Sequence, residues 1–122
     1  DWKRVFQMQK FKIMQIVMTD AEVDAINEGI DVPRYNVWKD AMTYGGNALK
    51  AVYDGLVEGY YEHVATITAD NVDDAYMISN VGHKEDQIER HAEMHSLSVG
   101  DIIVTEEGEQ ILVDTFGFCT VM

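Results

Sequence analysis

Residues 101–121 read DIIVTEEGEQILVDTFGFCTV, and the fold class rests on this stretch. Two short runs of β-branched and apolar residues, IIV and ILV, lie on either side of the polar sequence EEGE. This arrangement is typical of an antiparallel hairpin, and we predict its strands near residues 101–105 and 110–115. Gly117 separates the hairpin from a last apolar run, which we predict to be an edge strand near residues 118–121.

Two upstream segments also have the composition of strands. Residues 11–18 are mostly apolar and include Ile13, Ile16 and Val17, as expected of a buried strand. Residues 60–69 are rich in aromatic and β-branched side chains. Together with the C-terminal strands, these segments predict a small and mostly antiparallel sheet.

Three segments between the strands have the periodicity of helices. We predict helices near residues 20–28, 47–58 and 70–80, where apolar side chains recur every three or four positions. Thr19 and Glu22 have the spacing of a capping box, which satisfies free backbone amides at the start of the first of these helices.

The elements combine into an α+β fold, with two to four helices packed on one face of the sheet. Pro33, the single proline, is a suitable first residue for a further helix. The predicted core is the following set: Ile16, Val23, Ile26, Leu49, Val52, Val64, Ile67, Ala75, Ile103, Leu112 and Val113.

The charge of the chain is unevenly distributed. The 122 residues contain 9 basic and 22 acidic side chains, a net charge of −13 with neutral histidines. Residues 1–12 contain four basic side chains and one acidic side chain, a net +3, so the remainder carries −16. We therefore divide the chain into a basic aromatic N-terminal arm, residues 1–10, and a single acidic domain, residues 11–122.

Composition excludes several classes of function. The acidic balance argues against direct binding to nucleic acid, since Lys and Arg drive that binding by displacing counterions. No apolar run approaches the roughly 20 residues that span a membrane, and no secretory leader is recognisable. A single cysteine rules out an internal disulfide. The phosphate-binding, dinucleotide-binding and hydrolase-nucleophile motifs are also absent.

Histidines provide the nearest approach to a metal site. His91 and His95 are four residues apart with Glu93 between them, and a helix would place both imidazoles on one face. The order H-A-E-M-H differs from the zinc motif H-E-x-x-H, and His63 and His83 would add ligands only through the fold. We interpret these histidines as surface or hydrogen-bonded residues and expect no metal and no cofactor.

Other candidate catalytic groups are weaker. Asp101 and Asp114 fall on or beside the hairpin strands, where two carboxylates could form a pair, but we interpret both as solvated or turn-capping acids. Cys119 lies in an apolar strand and reads as a buried, inert thiol. We therefore predict no catalytic residue and no enzymatic activity, with a small metal-dependent enzyme using His91, His95, Glu93 or Asp114 kept as the third alternative.

The C-terminal half resembles a known group of sequences. HSLSVGDIIV at residues 95–104 and LVDTFGF at residues 112–118 resemble the signature S-x-S-V-G-D-[IV], polar turn, V-D-[ST]-x-G-F of small tailed-bacteriophage proteins. Similar segments occur in YodL-like domains, and DNVDDAY at residues 70–76 is similar to the unit before the signature. The resemblance spans residues 60–122. It implies a phage-encoded protein in the cytoplasm of a bacterial host and supplies no catalytic residues.

These observations predict a non-enzymatic acidic protein that binds and modulates or inhibits a host or phage protein. Its acidic groups would fit a basic surface, for example a nucleic-acid-binding site that it occupies as a mimic of DNA. A virion or assembly component is the alternative, and self-association is left open. The residues predicted to contact the partner are Asp24, Glu28, Asp73, Asp74, Glu85, Asp86, Glu89, Trp2 and Phe6.

Overall fold

The structure is a computed structural model that describes residues 8–42, 48–82, 84–114 and 117–121. Most of the predicted N-terminal arm, with Trp2 and Phe6, therefore lies outside the described residues. His83 lies outside them as well. The first strand begins at Gln9, so residues 9 and 10 of the predicted arm belong to the sheet.

Six strands form one antiparallel sheet in the order β3-β2-β1-β4-β5-β6. Their bounds are β1 Gln9–Ile16, β2 Tyr61–Ala69, β3 Ile88–Arg90, β4 Ile102–Val104, β5 Gln110–Asp114 and β6 Gly117–Thr120. The long strands β1 and β2 pair in the centre, and the predicted hairpin β4–β5 extends the sheet on the other side of β1. The antiparallel α+β fold is thus confirmed.

Four helices and one short 3-10 turn complete the described chain: α1 Asp20–Asn27, α2 Pro33–Met42, α3 Ala48–Val57, α4 Val72–Val81 and the turn Glu85–Gln87. The capping box at the start of α1 is present, with Thr19 Oγ1 accepting from the Glu22 amide and the Glu22 carboxylate accepting from the Thr19 amide. Asn71 caps α4 by accepting from the Asp74 amide.

The helices pack on both faces of the sheet. The prediction that they pack on one face is therefore wrong, although the α+β fold itself is as predicted. On one face α4 packs through Ala75 and Ile78. On the other face α2 and α3 pack through Ala41 and Val52. The physical reason lies in the hairpin, because successive strand residues point to opposite faces and all three residues of ILV in β5 are buried. A sheet that is apolar on both sides must be covered on both sides.

Eight of the eleven predicted core residues are buried, and the exceptions lie on α1 and α3. Leu49 is exposed because α3 turns Ala51 and Val52 toward the sheet instead. Val23 is exposed and Ile26 is half-buried, since α1 does not close fully over the sheet. The space left beneath these two residues forms the candidate site.

One strand was not predicted. We expect residues 84–91 to be a surface turn or loop, but Ile88–Arg90 pairs with β2 as the edge strand β3. Ile88, the one apolar residue of this charged segment, lies opposite Ile67 and packs against the core on the α4 side. A single side chain thus anchors the strand, which explains why periodicity does not reveal it.

Candidate ligand-binding pocket

A cavity of about 410 Å³ lies between α1, α2, the end of β1 and the segment 93–95. It is lined by Ile16, Val17, Met18, Val23, Ile26, Tyr35, Trp38, Glu93, Met94 and His95. Eight of these ten side chains are aliphatic, thioether or aromatic, and the two others, Glu93 and His95, are exposed polar residues of one short segment. The cavity is therefore an apolar chamber with one polar corner.

Helical spacing builds the apolar walls. Val23 and Ile26 are three residues apart in α1, so they lie on one side of this helix and face the cavity together. Tyr35 and Trp38 have the same spacing in α2, and their rings stack with centroids 5.7 Å apart. The wall contributed by α2 is thus a pair of aromatic rings, which present a large rigid surface at little cost in conformational entropy.

Gln15 organises the polar corner from inside the sheet. Its side chain is wholly buried, and its Nε2 donates to Asp101 Oδ2 at 3.0 Å and to the His95 carbonyl oxygen at 2.9 Å. Its Oε1 accepts from the His95 amide at 3.2 Å. A buried amide without partners would be destabilising, so these bonds hold the segment around His95 against β1.

The hydrogen bonds around His95 determine which of its ring nitrogens carries the hydrogen in the neutral imidazole. Nδ1 of His95 lies 2.8 Å from the Ser96 carbonyl oxygen and 3.2 Å from Gln15 Nε2. Both amide hydrogens of Gln15 are directed to other acceptors, so Nδ1 carries the hydrogen of the neutral ring and donates it to Ser96. Nε2 is then the nitrogen with a lone pair, and it is the acceptor that the neutral ring can offer to a ligand.

Asp101 lies behind His95 and is the only other buried polar residue of the described chain besides Gln15. Burial raises the pKa of its carboxyl to about 6. The Ser98 amide, 2.9 Å from Oδ2, the nearby His95 and the Gln15 amide each oppose this rise. Nδ1 of His95 lies 3.8 Å from Oδ2, so the carboxylate faces the imidazole without a direct hydrogen bond. The interpretation of Asp101 as a solvated acid is wrong, although it does cap the turn at Ser98.

The turn before β4 is held by a hydrogen bond from Tyr61 and by close packing of Gly100 against α2. Tyr61 donates its hydroxyl to the Gly100 carbonyl oxygen at 2.6 Å, and burial raises the pKa of this hydroxyl. Gly100 has a φ of 96°, and a Cβ there would lie 3.0 Å from the Ala41 carbonyl oxygen. Glycine is therefore required at this position, which brings Asp101 close to α2.

The structure separates the histidines that the sequence grouped. His91 Nε2 and His63 Nε2 each lie 3.0 Å from Thr66 Oγ1, and the two rings are 4.6 Å apart. Burial, and then the neighbouring His91, lower the pKa of His63. His95 instead joins Glu93 at the pocket. Within the described residues, no group of three His, Cys, Asp or Glu side chains could hold a metal ion.

The remaining sequence candidates do not join the pocket. Asp114 is exposed, and Asp101 is paired through its backbone with Val113, so the two carboxylates leave neighbouring positions of the sheet on opposite faces. They do not form the carboxylate pair that the sequence allowed. Cys119 is half-buried and packs on the side of α2 and α3.

Four of the seven acidic residues predicted to bind a partner lie at one end of the sheet: Asp73, Asp74, Glu85 and Asp86. The helix α4 begins just beyond the end of β2, and the turn Glu85–Gln87 precedes β3 on the same side, whereas Glu89 of β3 lies opposite Thr66 in the middle third of β2. Asp24 and Glu28 belong to α1, which follows the end of β1 and therefore lies at the opposite end. The acids thus lie at both ends of the sheet, with Glu89 between the ends on the edge strand β3.

Two of these acids already have partners within the protein. The Asp74 carboxylate accepts from the Asp70 amide at the start of α4, and Glu85 forms an ion pair with Arg90. The ion pair lowers the pKa of Glu85. These two residues are consequently less available to a partner than Asp73, Asp86 and Glu89, all of which are exposed.

Sequence reasoning missed the residues that define the pocket. Gln15 gave one signal that could have been used, because it is a polar side chain inside the apolar run IMQIVM. Tyr35 and Trp38 gave a weaker signal, since an aromatic pair at helical spacing is also typical of an ordinary core.

Comparisons with known proteins add no assignment. No protein-family profile, curated protein or solved structure matches the chain. The resemblance to tailed-phage proteins therefore remains a prediction. None of the helices that the structure describes is both long enough and apolar enough to cross a membrane.

Proposed function

We propose that this protein is a binding protein that holds a small, mainly apolar molecule in the pocket between α1 and α2. The observation that carries the proposal is the cavity of about 410 Å³, apolar except for one polar corner. Cavities of roughly 300–1,000 Å³ with mostly hydrophobic walls and a few polar groups are typical of small-molecule sites. The two polar groups, Glu93 and His95, would orient the ligand.

The chemistry of the lining favours binding over catalysis. No Ser, Thr, Cys or Lys is among the described residues that line the pocket, so the commonest hydroxyl, thiol and amine nucleophiles are not found there. His95 could act as an acid or base, with Glu93 nearby, and this pair is what remains of the enzyme alternative. The Asp101 carboxylate contacts the His95 ring only at 3.8 Å, which is too long for the hydrogen bond of a catalytic dyad.

The affinity expected of such a site is modest. A bicyclic aromatic ligand that buries about 250 Å² of apolar surface gains roughly 6 kcal/mol at about 25 cal/mol per Å². The loss of translational and rotational freedom offsets part of this gain. Because about 6 kcal/mol corresponds to a dissociation constant of about 40 μM before this loss, we expect dissociation constants of about 0.1–1 mM for unoptimised probes.

A fluorescent probe tests this proposal. N-phenyl-1-naphthylamine is neutral near pH 7 and brightens in apolar surroundings, so its emission should rise on addition of the protein and follow a single-site binding curve that reaches a plateau. Val23→Trp places a large side chain in the pocket and should weaken binding at least about tenfold. Val57→Trp is the matched control, because Val57 is an exposed residue of α3. Absence of saturable binding, or equal loss in both variants, would contradict the proposal.

A second proposal concerns the acidic surface, and it is favoured by the exposure of Asp73, Asp86 and Glu89 on α4, the turn Glu85–Gln87 and β3, away from the end of the sheet where α1 lies. We propose that this group binds a basic surface of a host or phage protein, aided by the net charge of −13. Replacing the three acids by their amides should release a partner captured at low salt, whereas the same change at Asp24 and Glu28 should not. Capture that persists in about 0.5 M NaCl would contradict the proposal, since salt screens exposed charges.

A further inference from the structure

The ionisable side chains of the pocket indicate the charge of its ligand. Of the ten lining residues, Glu93 is the one acid, His95 is the one histidine, and the described lining contains neither Lys nor Arg. An anionic ligand would have no permanent cation to meet in the cavity, whereas a cationic ligand would meet a carboxylate. The net charge of −13 adds a long-range electrostatic field that also favours a cationic ligand.

Two basic side chains of α2, the helix that carries Tyr35 and Trp38, have partners outside the cavity. Arg34 Nη1 donates to the Val17 carbonyl oxygen at 3.1 Å and lies 3.6 Å from the Glu22 carboxylate. Lys39 lies over the Tyr35 ring, 4.8 Å from its centroid, and is an exposed residue of α2. Neither side chain lines the cavity, so neither offsets Glu93 inside it.

The aromatic wall favours the same class of ligand. Trp38 lines the pocket, and indole is the aromatic ring that attracts cations most strongly through its face. The contact of Lys39 with the stacked partner ring, Tyr35, is an interaction of this kind within the protein itself. A cationic group beside Trp38 would therefore be stabilised while its apolar body fills the chamber.

His95 narrows the class from cations to those that carry N–H groups. Because Nδ1 donates to the Ser96 carbonyl oxygen, the neutral ring offers Nε2 as an acceptor. A primary or secondary ammonium can donate one hydrogen bond to this nitrogen and another to Glu93, whereas a quaternary ammonium can donate neither. The buried Asp101 behind the ring adds negative charge on the same side when it is ionised.

We propose that the ligand of the pocket is a hydrophobic primary or secondary amine, bound as its ammonium form. The apolar body lies among Ile16, Met18, Ile26 and Trp38, and the ammonium group lies between Glu93 and His95. This inference rests on the proposed small-molecule function of the pocket and adds the chemical class of the molecule.

A series of ligands with one body and different head groups tests the inference at pH 7.5. The probes are 1-naphthylmethylamine, its N,N,N-trimethyl derivative, 1-naphthylmethanol and the carboxylate 1-naphthaleneacetate. Each is titrated calorimetrically into the full chain. The amine should bind at least about tenfold more tightly than the alcohol, and the acetate more weakly than the alcohol. The trimethyl derivative should bind more weakly than the amine because it lacks N–H donors.

Variants assign the preference to Glu93. Glu93→Gln should reduce amine affinity to that of the alcohol and leave alcohol affinity unchanged. Glu28→Gln is the matched control, since Glu28 follows α1 but does not line the cavity, and it should change neither.

Each outcome separates the two proposals. Equal binding of the amine, alcohol and acetate would overturn the inference while supporting the pocket, and preference for the acetate would do the same. Equal affinity of the amine and its trimethyl derivative would overturn the hydrogen bond to His95. Failure of every probe, together with failure of the neutral dye, would overturn both proposals.

Discussion

Replacing Asp101 by asparagine should remove a pH dependence of stability that the buried carboxyl creates. Burial raises the pKa of this group from its ordinary 3.8 to about 6, so the folded protein binds the proton more tightly than the unfolded chain does. Below about pH 3 the carboxyl is protonated in both states, and the folded state has its full advantage. As the pH rises from about 4 to about 6, the unfolded chain loses its proton first, and stability falls.

The size of this fall follows from the difference between 3.8 and about 6. Each tenfold difference in proton affinity corresponds to about 1.4 kcal/mol, so the fall amounts to about 3 kcal/mol and is complete above about pH 7. Asparagine does not titrate, and its side-chain oxygen can accept the two hydrogen bonds that Asp101 Oδ2 accepts from Gln15 and Ser98. The variant should therefore lack the fall while keeping the local structure.

Urea denaturation from pH 4 to pH 7.5 at constant ionic strength measures the effect. The free energy of unfolding of Asp101→Asn minus that of the parent should grow by about 2.4 kcal/mol between the two ends of the range, because the rest of the fall lies below pH 4. Taking this difference cancels the contributions of the other acids, which both proteins share. The control is Asp86→Asn, at an exposed residue, which should stay within about 0.5 kcal/mol of the parent. A difference between Asp101→Asn and the parent that is constant across the range would refute the reasoning.

Three further substitutions test the structure around the site. Gly100→Ala should lower the free energy of unfolding by at least about 2 kcal/mol, because it combines a positive φ with a Cβ 3.0 Å from the Ala41 carbonyl oxygen; Gly108→Ala, with a positive φ and open space, should cost about 1 kcal/mol in the same urea titration. Tyr61→Phe leaves the Gly100 carbonyl oxygen without its 2.6 Å donor and should cost about 1–3 kcal/mol, with a loss below 0.5 kcal/mol counting against this bond. Asn71→Ala removes the cap of α4 and should cost about 1 kcal/mol, while an unchanged melting temperature would argue against the cap.

The parts of the fold that the sequence predicts well are those determined by neighbouring residues. The capping box of Thr19 and Glu22 spans four positions, and the structure has it as predicted. The hairpin β4–β5 needs only two apolar runs and a polar turn between them, and both strands lie within two residues of their predicted bounds. Local hydrogen bonding and alternation act within a few residues, so a single sequence contains the necessary information.

The parts that the sequence does not predict depend on contacts between distant segments. The strand β3 forms because Ile88 meets Ile67 across 21 positions of the chain, and nothing in its charged neighbourhood indicates a strand. The division of the helices between two faces is indicated by the sequence, since IIV and ILV have no polar residue to turn toward solvent and both faces of the sheet therefore need cover.

The candidate site shows most directly why sequence alone is insufficient. Gln15 and Asp101 are 86 positions apart, and their hydrogen bond exists only because the antiparallel order places β1 beside β4. That order brings a buried amide under the His95 segment and thereby gives the pocket its polar corner. The same polar residue that interrupts an apolar strand is thus the residue that joins the sheet to the site. A buried side-chain amide in a central strand is costly unless all of its hydrogen bonds are made, and here they are made to the elements that shape the pocket.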